Sequence, residues 1–129
     1  MDYLEHEIDE EIESLELDSK KVEIDTKVQN LLTEIANEKR TNSTHTYKNP
    51  DFWKRIDEYC NFKDPILVIF EKKYKGWMFK NCGDLELLLH NTTGYIFWIL
   101  DKSNIVFMND HDYVIHVEIS NPQEIEPLL

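Results

Sequence analysis

The chain has 129 residues, the usual size of one domain, and 41% of them are hydrophobic, a content too high for a disordered chain. Its net charge of −12 argues against primary binding to a phosphate backbone or an anionic membrane and favours a basic protein partner. Two cysteines, Cys60 and Cys82, exclude a disulfide scaffold and a four-cysteine zinc site, and with a start that lacks a secretory signal they predict a cytoplasmic protein.

Residues 1–40 are predicted to form an acidic helical segment. They contain 13 acidic and 5 basic residues, and the first nineteen residues hold nine acids and no lysine or arginine. Apolar residues recur at helical spacing in two stretches, at Leu4, Ile8, Ile12 and Leu15 and then at Ile24, Val28, Leu31, Leu32 and Ile35. The two registers do not match, so we expect two amphipathic helices with a break near residue 18 and a cap at Asp18 or Ser19.

Residues 41–50 are rich in turn formers, and we interpret them as a linker or exposed loop. A compact α+β domain is expected over 51–120, followed by a tail at 121–129. Short helices are predicted at Phe52–Cys60 and at Leu85–His90, the second capped by Asp84.

Strand candidates follow one another in the second half of the chain. They are Ile66–Phe70, Gly76–Phe79, Tyr95–Leu100, Ile105–Met108 and Tyr113–Ile119. Short polar breaks of hairpin length separate the last three, which favours antiparallel pairing. The predicted fold class is therefore α+β, with N-terminal amphipathic helices, an antiparallel sheet of about five strands, and one or two short helices.

The sequence does not assemble a catalytic site. Cys82 stands at the start of a predicted helix whose dipole favours a thiolate, but Asp84 opposes that charge and no motif supplies a base. A small buried thiol is the expected role of Cys82. No glycine-rich phosphate-binding loop occurs, so we predict no cofactor and no enzymatic activity.

Two other constellations have ordinary structural explanations. A carboxylate and imidazole set could hold a divalent metal, as in a small metal-dependent nuclease, but Asp-rich tips are also typical of hairpin turns. Its members are Asp110, Asp112, His116 and Glu118. Lysines near aromatic residues could bind single-stranded nucleic acid, but they also protect the edge of a hairpin. These are Lys72, Lys73, Lys75 and Lys80, with Tyr74 and Trp77.

The acidic helical segment is the candidate binding surface. Carboxylates repeated along a helix can imitate spaced phosphates and steer a basic partner toward them, although a solvated helix face is the simpler interpretation. The predicted partner-binding residues are Glu5, Asp9, Glu10, Glu11, Glu13 and Glu16, with Trp53 as an aromatic anchor.

We therefore expect a small acidic inhibitor, immunity-type or antitoxin-like, that covers the cleft of a basic partner such as a nuclease toxin. The alternative is a non-catalytic adaptor subunit whose N-terminal helices dock on a neighbour in a larger complex.

Overall fold

The structure, a computed structural model, describes residues 3–37, 44–49, 52, 56, 62–92, 95–108 and 113–118. Three helices lie in these ranges: α1 (Tyr3–Ser14), α2 (Thr26–Ala36) and α3 (Cys82–His90). Seven strands form one sheet: β1 (Ser19–Val22), β2 (Thr44–Lys48), β3 (Ile66–Glu71), β4 (Lys73–Phe79), β5 (Phe97–Leu100), β6 (Asn104–Met108) and β7 (Tyr113–Glu118).

The strand order across the sheet is β1-β4-β3-β5-β6-β7-β2, and every neighbouring pair is antiparallel. The predicted α+β class with an antiparallel sheet is confirmed. The sheet has seven strands where the sequence predicted about five. The two additional strands, β1 and β2, form its opposite edges.

The strand β1 occupies the place where the second helix was predicted to start. It pairs with residues 76–79 of β4, a long-range contact that local periodicity does not contain. The predicted cap at Asp18 or Ser19 is therefore wrong. The helix α2 begins later, and Asp25 caps it by accepting a hydrogen bond of 2.9 Å from the backbone N–H of Lys27.

The strand β2 lies within 41–50, the segment interpreted as a linker or exposed loop, and corrects that interpretation. It pairs with residues 113–117 of β7 at the far edge of the sheet. Turn-forming residues stand on both sides of the strand in the sequence. They favoured a loop prediction despite the β preference of the strand's threonines and tyrosine. The strand forms because β7 offers a free edge, a feature that only the assembled sheet possesses.

Both faces of the sheet are covered by helices. On one face, α1 and α3 pack over a core that includes Leu67, Ile69 and Trp77. On the other face, α2 packs over a core that includes Ile66 and Val68. Successive residues of β3 therefore enter different cores, and this explains why the central strands lack the polar alternation of a half-exposed sheet.

The third helix begins earlier than the sequence predicted. Its cap is Asn81, whose side chain accepts a hydrogen bond of 2.8 Å from the backbone N–H of Asp84. Asp84 thus lies in the first turn and is not the cap. The buried thiol of Cys82 donates to the carbonyl of Phe62 at 3.4 Å, so the expectation of a buried thiol is confirmed.

Parts of the predicted elements lie outside the described residues. Of the helix predicted at Phe52–Cys60, only Phe52 and Ile56 are described, and both side chains are buried in the core beneath α1 and α3. The tail 121–129 is not described. None of the helices in the described residues is both long and apolar enough to cross a lipid bilayer.

Candidate functional site

The acidic helix α1 lies on the sheet through a narrow apolar stripe. Ile8 is completely buried in the core, and Leu4 and Ile12 pack against the same core one turn away on either side. The predicted amphipathic helix is therefore confirmed. The carboxylates that flank this stripe divide into two groups with different surroundings.

Two carboxylates, Glu5 and Asp9, point back toward the sheet. Both pair with the ammonium group of Lys21 on β1, at 3.1 Å for Glu5 and 2.7 Å for Asp9. Glu5 also lies 3.2 Å from the Nζ of Lys75, whose side chain is 5% exposed. The indole N–H of buried Trp77 donates to Asp9 at 2.9 Å. These charge-assisted contacts fix the rotation of α1 on the sheet.

The end of β3 caps the first turn of α1. The carboxylate of Glu71 accepts hydrogen bonds from the backbone N–H groups of Leu4, at 2.9 Å, and Glu5, at 3.2 Å. It also lies 3.6 Å from the ammonium group of Lys75. A negative charge at this position satisfies free N–H groups and complements the helix dipole. We call Glu5, Asp9, Lys21, Glu71, Lys75 and Trp77 the docking cluster.

The remaining carboxylates of α1 form an outer acidic surface. Glu10 and Glu13, like Glu16 just beyond the helix, are exposed, and Glu11 is half-buried. Glu7, which the sequence analysis did not select, is exposed as well. Among the described residues the only salt bridge to this group comes from His6, 2.9 Å from Glu10. We define the outer acidic surface as Glu7, Glu10, Glu11, Glu13 and Glu16.

The structure thus separates the predicted partner-binding residues. Glu5 and Asp9 are engaged within the chain, whereas Glu10, Glu11, Glu13 and Glu16 remain directed toward solvent or only partly covered. The proposed anchor Trp53 lies outside the described residues. A sequence pattern did point to the missed docking partners: Lys75 and Trp77 alternate along one side of β4, which places them on the same face as α1.

The C-terminal end of α1 is a Schellman motif without glycine. The N–H of Leu17 donates to the carbonyl of Ile12 at 3.0 Å, and the N–H of Glu16 donates to that of Glu13 at 3.2 Å. Glu16 sits in the left-handed region, with φ of 54°. A residue with a Cβ atom is strained there, so this glutamate is not the choice that folding favours.

Replacing Glu16 with glycine is expected to raise the free energy of unfolding by about 0.5–1 kcal/mol, because glycine adopts this conformation without strain. Urea denaturation of the wild type and the Glu16→Gly variant measures the change. Glu13→Gly, at a position inside the helix, is the matched control and is expected to destabilise by about 1 kcal/mol. A loss of stability in the Glu16→Gly variant would contradict the assigned geometry.

Protonation of Glu5 controls part of this docking. The hydrogen bond from Lys21 lowers the pKa of Glu5 below its ordinary value of 4.5, and Lys75 acts in the same direction. Hydrogen bonds, first to Asp9 and then to Glu5, raise the pKa of Lys21 above its ordinary value of 10.5. Glu5 therefore stabilises the fold above pH 4.5 and loses this effect as the pH falls through its lowered pKa. Lys21 loses its effect only above pH 10.5.

The Glu5→Gln variant is expected to be less stable than the wild type at neutral pH and to approach it as the pH falls below 4.5. Urea denaturation of both proteins between neutral and acidic pH measures this convergence. Glu10→Gln, which changes an exposed carboxylate on the same helix, serves as the control and is expected to show a much smaller difference in the free energy of unfolding. If the unfolding free energies of the wild type and the Glu5→Gln variant differed by the same amount at all pH values, the role of Glu5 in docking would be refuted.

Beside the docking cluster, a cleft of about 470 Å³ opens at the edge of the sheet. Glu5, Lys21, Lys75 and Trp77 line it on the side of α1, and Ile24, Gln29 and Tyr74 line it on the side of α2. Glu23 belongs to the lining as well. Two groups with shifted pKa values, Glu5 and Lys21, therefore border one concave site, an arrangement typical of binding sites.

The other candidate sites of the sequence do not assemble in the described part of the chain. Trp77 is only 1% exposed, so its ring is not available to stack on a nucleic acid base. His116 bonds to the side chain of Asn104 at 2.8 Å, while Asp110 and Asp112 lie outside the described residues. Within the described ranges, no group of three His, Cys, Asp or Glu residues is placed to hold a metal.

Comparison of the chain with protein-family models, with curated proteins and with solved structures finds no match to any of them.

Proposed function

We propose that this protein acts by binding a basic protein partner through its outer acidic surface, without catalysing a reaction. The supporting observation is that Glu5 and Asp9 hold α1 on the sheet, while Glu7, Glu10 and Glu13 of the same helix are exposed. The form of action that best suits such a surface is inhibition. The acidic helix covers the cationic cleft of a partner such as a nuclease toxin, as an immunity-type or antitoxin-like protein does.

The outer carboxylates cost folding stability, and this supports a role in binding. Glu10 and Glu13 are neighbours on the helix surface, where like charges repel by about 0.2–0.5 kcal/mol. The last turn of α1 contains no basic residue to complement the helix dipole, and Glu13 lies in that half of the helix. Glu16 adds the strain of its left-handed backbone. Burial and capping within the fold do not require these three charges.

The contacts of the docking cluster make the acidic surface effective as a recognition element. A helix that already has its bound orientation loses less conformational freedom when a partner arrives, so more of the interaction energy contributes to affinity. Charges at the rim of an interface act mainly on the association rate, which falls as salt screens them. We therefore expect fast association with a basic partner and a strong dependence on ionic strength.

The test compares affinity-tagged wild type with the Glu10→Gln/Glu13→Gln variant in cells of the source organism. The matched control is Glu34→Gln/Asp64→Asn, which removes two exposed carboxylates outside α1. We expect wild type and control to recover the same basic protein at low salt and to release it at high salt. The outer-surface variant is expected to recover much less of it, and the purified pair should then show slower association.

Two results would contradict the proposal. Equal recovery of the partner by the outer-surface variant and the wild type would show that α1 is not the contact surface. Recovery of several subunits that resist high salt would establish the adaptor alternative, because apolar docking between subunits is insensitive to screening.

A further inference from the structure

The strand β4 is longer than its edge partner β1. Only residues 76–79 of β4 pair with β1, and after Val22 the chain turns away toward α2. No described strand lies beside Lys73–Lys75 on the side of β1. The sheet therefore has an open position in its own plane, directly in line with the end of β1.

The cleft at the sheet edge coincides with this open position. Glu5 and Lys21 line the cleft on the face of the sheet that α1 covers, and Ile24 and Tyr74 line it on the face that α2 covers, with β4 between them. Tyr74 is fixed as part of one wall because its hydroxyl is hydrogen-bonded to Thr33. A slot with two walls and a strand edge as its floor has the shape that an added β-strand requires.

The slot is lined by charges of both signs, with Glu5 and Glu23 beside Lys21, Lys73 and Lys75. Lys75 is buried and ion-paired with Glu5 and Glu71, and Lys21 is shared between Glu5 and Asp9. Lys73 is exposed at the mouth of the slot, on the same face of β4 as Lys75. A carboxylate on an added strand opposite Lys73 would form a favourable cross-strand pair, and an apolar residue would face Tyr74.

We propose that this slot binds an extended peptide segment of a partner, which pairs with the edge of β4 and places a carboxylate opposite Lys73. The site lies beside the outer acidic surface but uses backbone pairing and a lysine, so it does not rest on the proposed function of α1. A partner could occupy either site alone or both together.

The test is a titration of the ¹⁵N-labelled full chain with two blocked peptides, followed by amide chemical shifts. The acidic probe is Ac-Glu-Val-Glu-NH₂, which matches the three open positions at Lys73–Lys75, and the matched basic probe has lysine in place of both glutamates. Each sequence is the same in either chain direction, so the strand orientation need not be known. We expect saturable shifts at Val22, Tyr74 and Gly76 with the acidic probe and much weaker shifts with the basic one.

A charge swap separates this site from a general structural effect. In the Lys73→Glu variant, affinity for the acidic probe is expected to fall by about fivefold to tenfold, and the basic probe is expected to become the better ligand. The Glu10→Gln/Glu13→Gln variant is expected to bind the acidic probe like the wild type. The experiment therefore distinguishes a failure of the peptide-binding proposal from a failure of the proposed function of the outer acidic surface.

Three outcomes would overturn the proposal. The first is no shift at the edge of β4 with either probe at millimolar concentration. The second is an equal response to both probes, which would show that charge plays no part. The third is an identical response to N-acetylglutamate amide, which would make the slot a site for a free carboxylate and not for an extended chain.

Discussion

Replacing Asp101 with alanine is expected to lower the free energy of unfolding by about 2–4 kcal/mol, because three part-buried backbone N–H groups lose their carboxylate acceptor. The side chain of Asp101 is 5% exposed and accepts three backbone N–H bonds. Those from Ser103 and Asn104, at 2.8 and 2.9 Å, close the β5–β6 turn. The bond from Lys63, at 2.9 Å, ties this turn to the segment before β3.

Urea denaturation measures this loss, and two variants separate its causes. Asp101→Asn keeps an acceptor oxygen for the turn, and its free energy of unfolding is expected to fall by about 1 kcal/mol. Lys102→Ala changes an exposed neighbour and is expected to stay within about 0.5 kcal/mol of the wild type. If Asp101→Ala were as stable as Lys102→Ala, the three hydrogen bonds would not hold the turn in solution.

Replacing Lys75 with methionine is expected to cost about 2–3 kcal/mol of unfolding free energy, because Glu5 and Glu71 lose their buried counter-ion. The cost is below that of a fully buried pair, since both carboxylates keep some contact with water. These groups hold the first turn of α1. In the variant, amide hydrogen exchange in this turn is therefore expected to become faster than exchange in the sheet.

The matched control is Lys73→Met, the same change two residues away on the same face of β4, where the side chain is exposed. It is expected to change stability by less than about 0.5 kcal/mol. Removing the charges together, in Lys75→Met/Glu5→Gln, is expected to restore part of the loss because fewer ions remain unpaired. Equal effects at positions 73 and 75 would argue against a buried ion cluster.

Binding and stability are expected to respond differently at the two groups of carboxylates. Changes at Glu5 or Lys75 alter how α1 is held, so they affect unfolding first and partner binding second. Changes at Glu10 or Glu13 leave the docking contacts in place and affect association with a basic partner. Glu16→Gly combines both, because it removes a proposed contact and relieves strain.

Local patterns in the sequence predicted most of the elements. The apolar spacing around Ile8 identified α1, and the spacing from Val28 to Ile35 identified α2. The apolar runs and polar breaks of the second half identified β3, the second half of β4, β5, β6, β7 and the antiparallel class. These predictions succeeded because periodicity and turn residues are properties of neighbouring positions.

Local patterns did not predict the edge strands or the two groups of carboxylates on α1. In both cases the reason is that the feature depends on contacts between distant segments. Whether Ser19–Val22 is a strand depends on β4, and whether Thr44–Lys48 is one depends on β7. Glu5 and Asp9 look like Glu10 and Glu13 in the sequence, since all four are acids on one helix. Only contact with Lys21, Lys75 and Trp77 distinguishes the first two.

The sequence by itself determined the acidic character of the protein, its helices, and the nearly continuous apolar runs of the central strands that make a sheet with two buried faces possible. The tertiary structure alone decided which carboxylates hold α1 and which remain available to a partner, and it alone opened the slot beside β4. Charge and periodicity are written residue by residue, whereas an ion pair or a free strand edge exists only when distant segments meet.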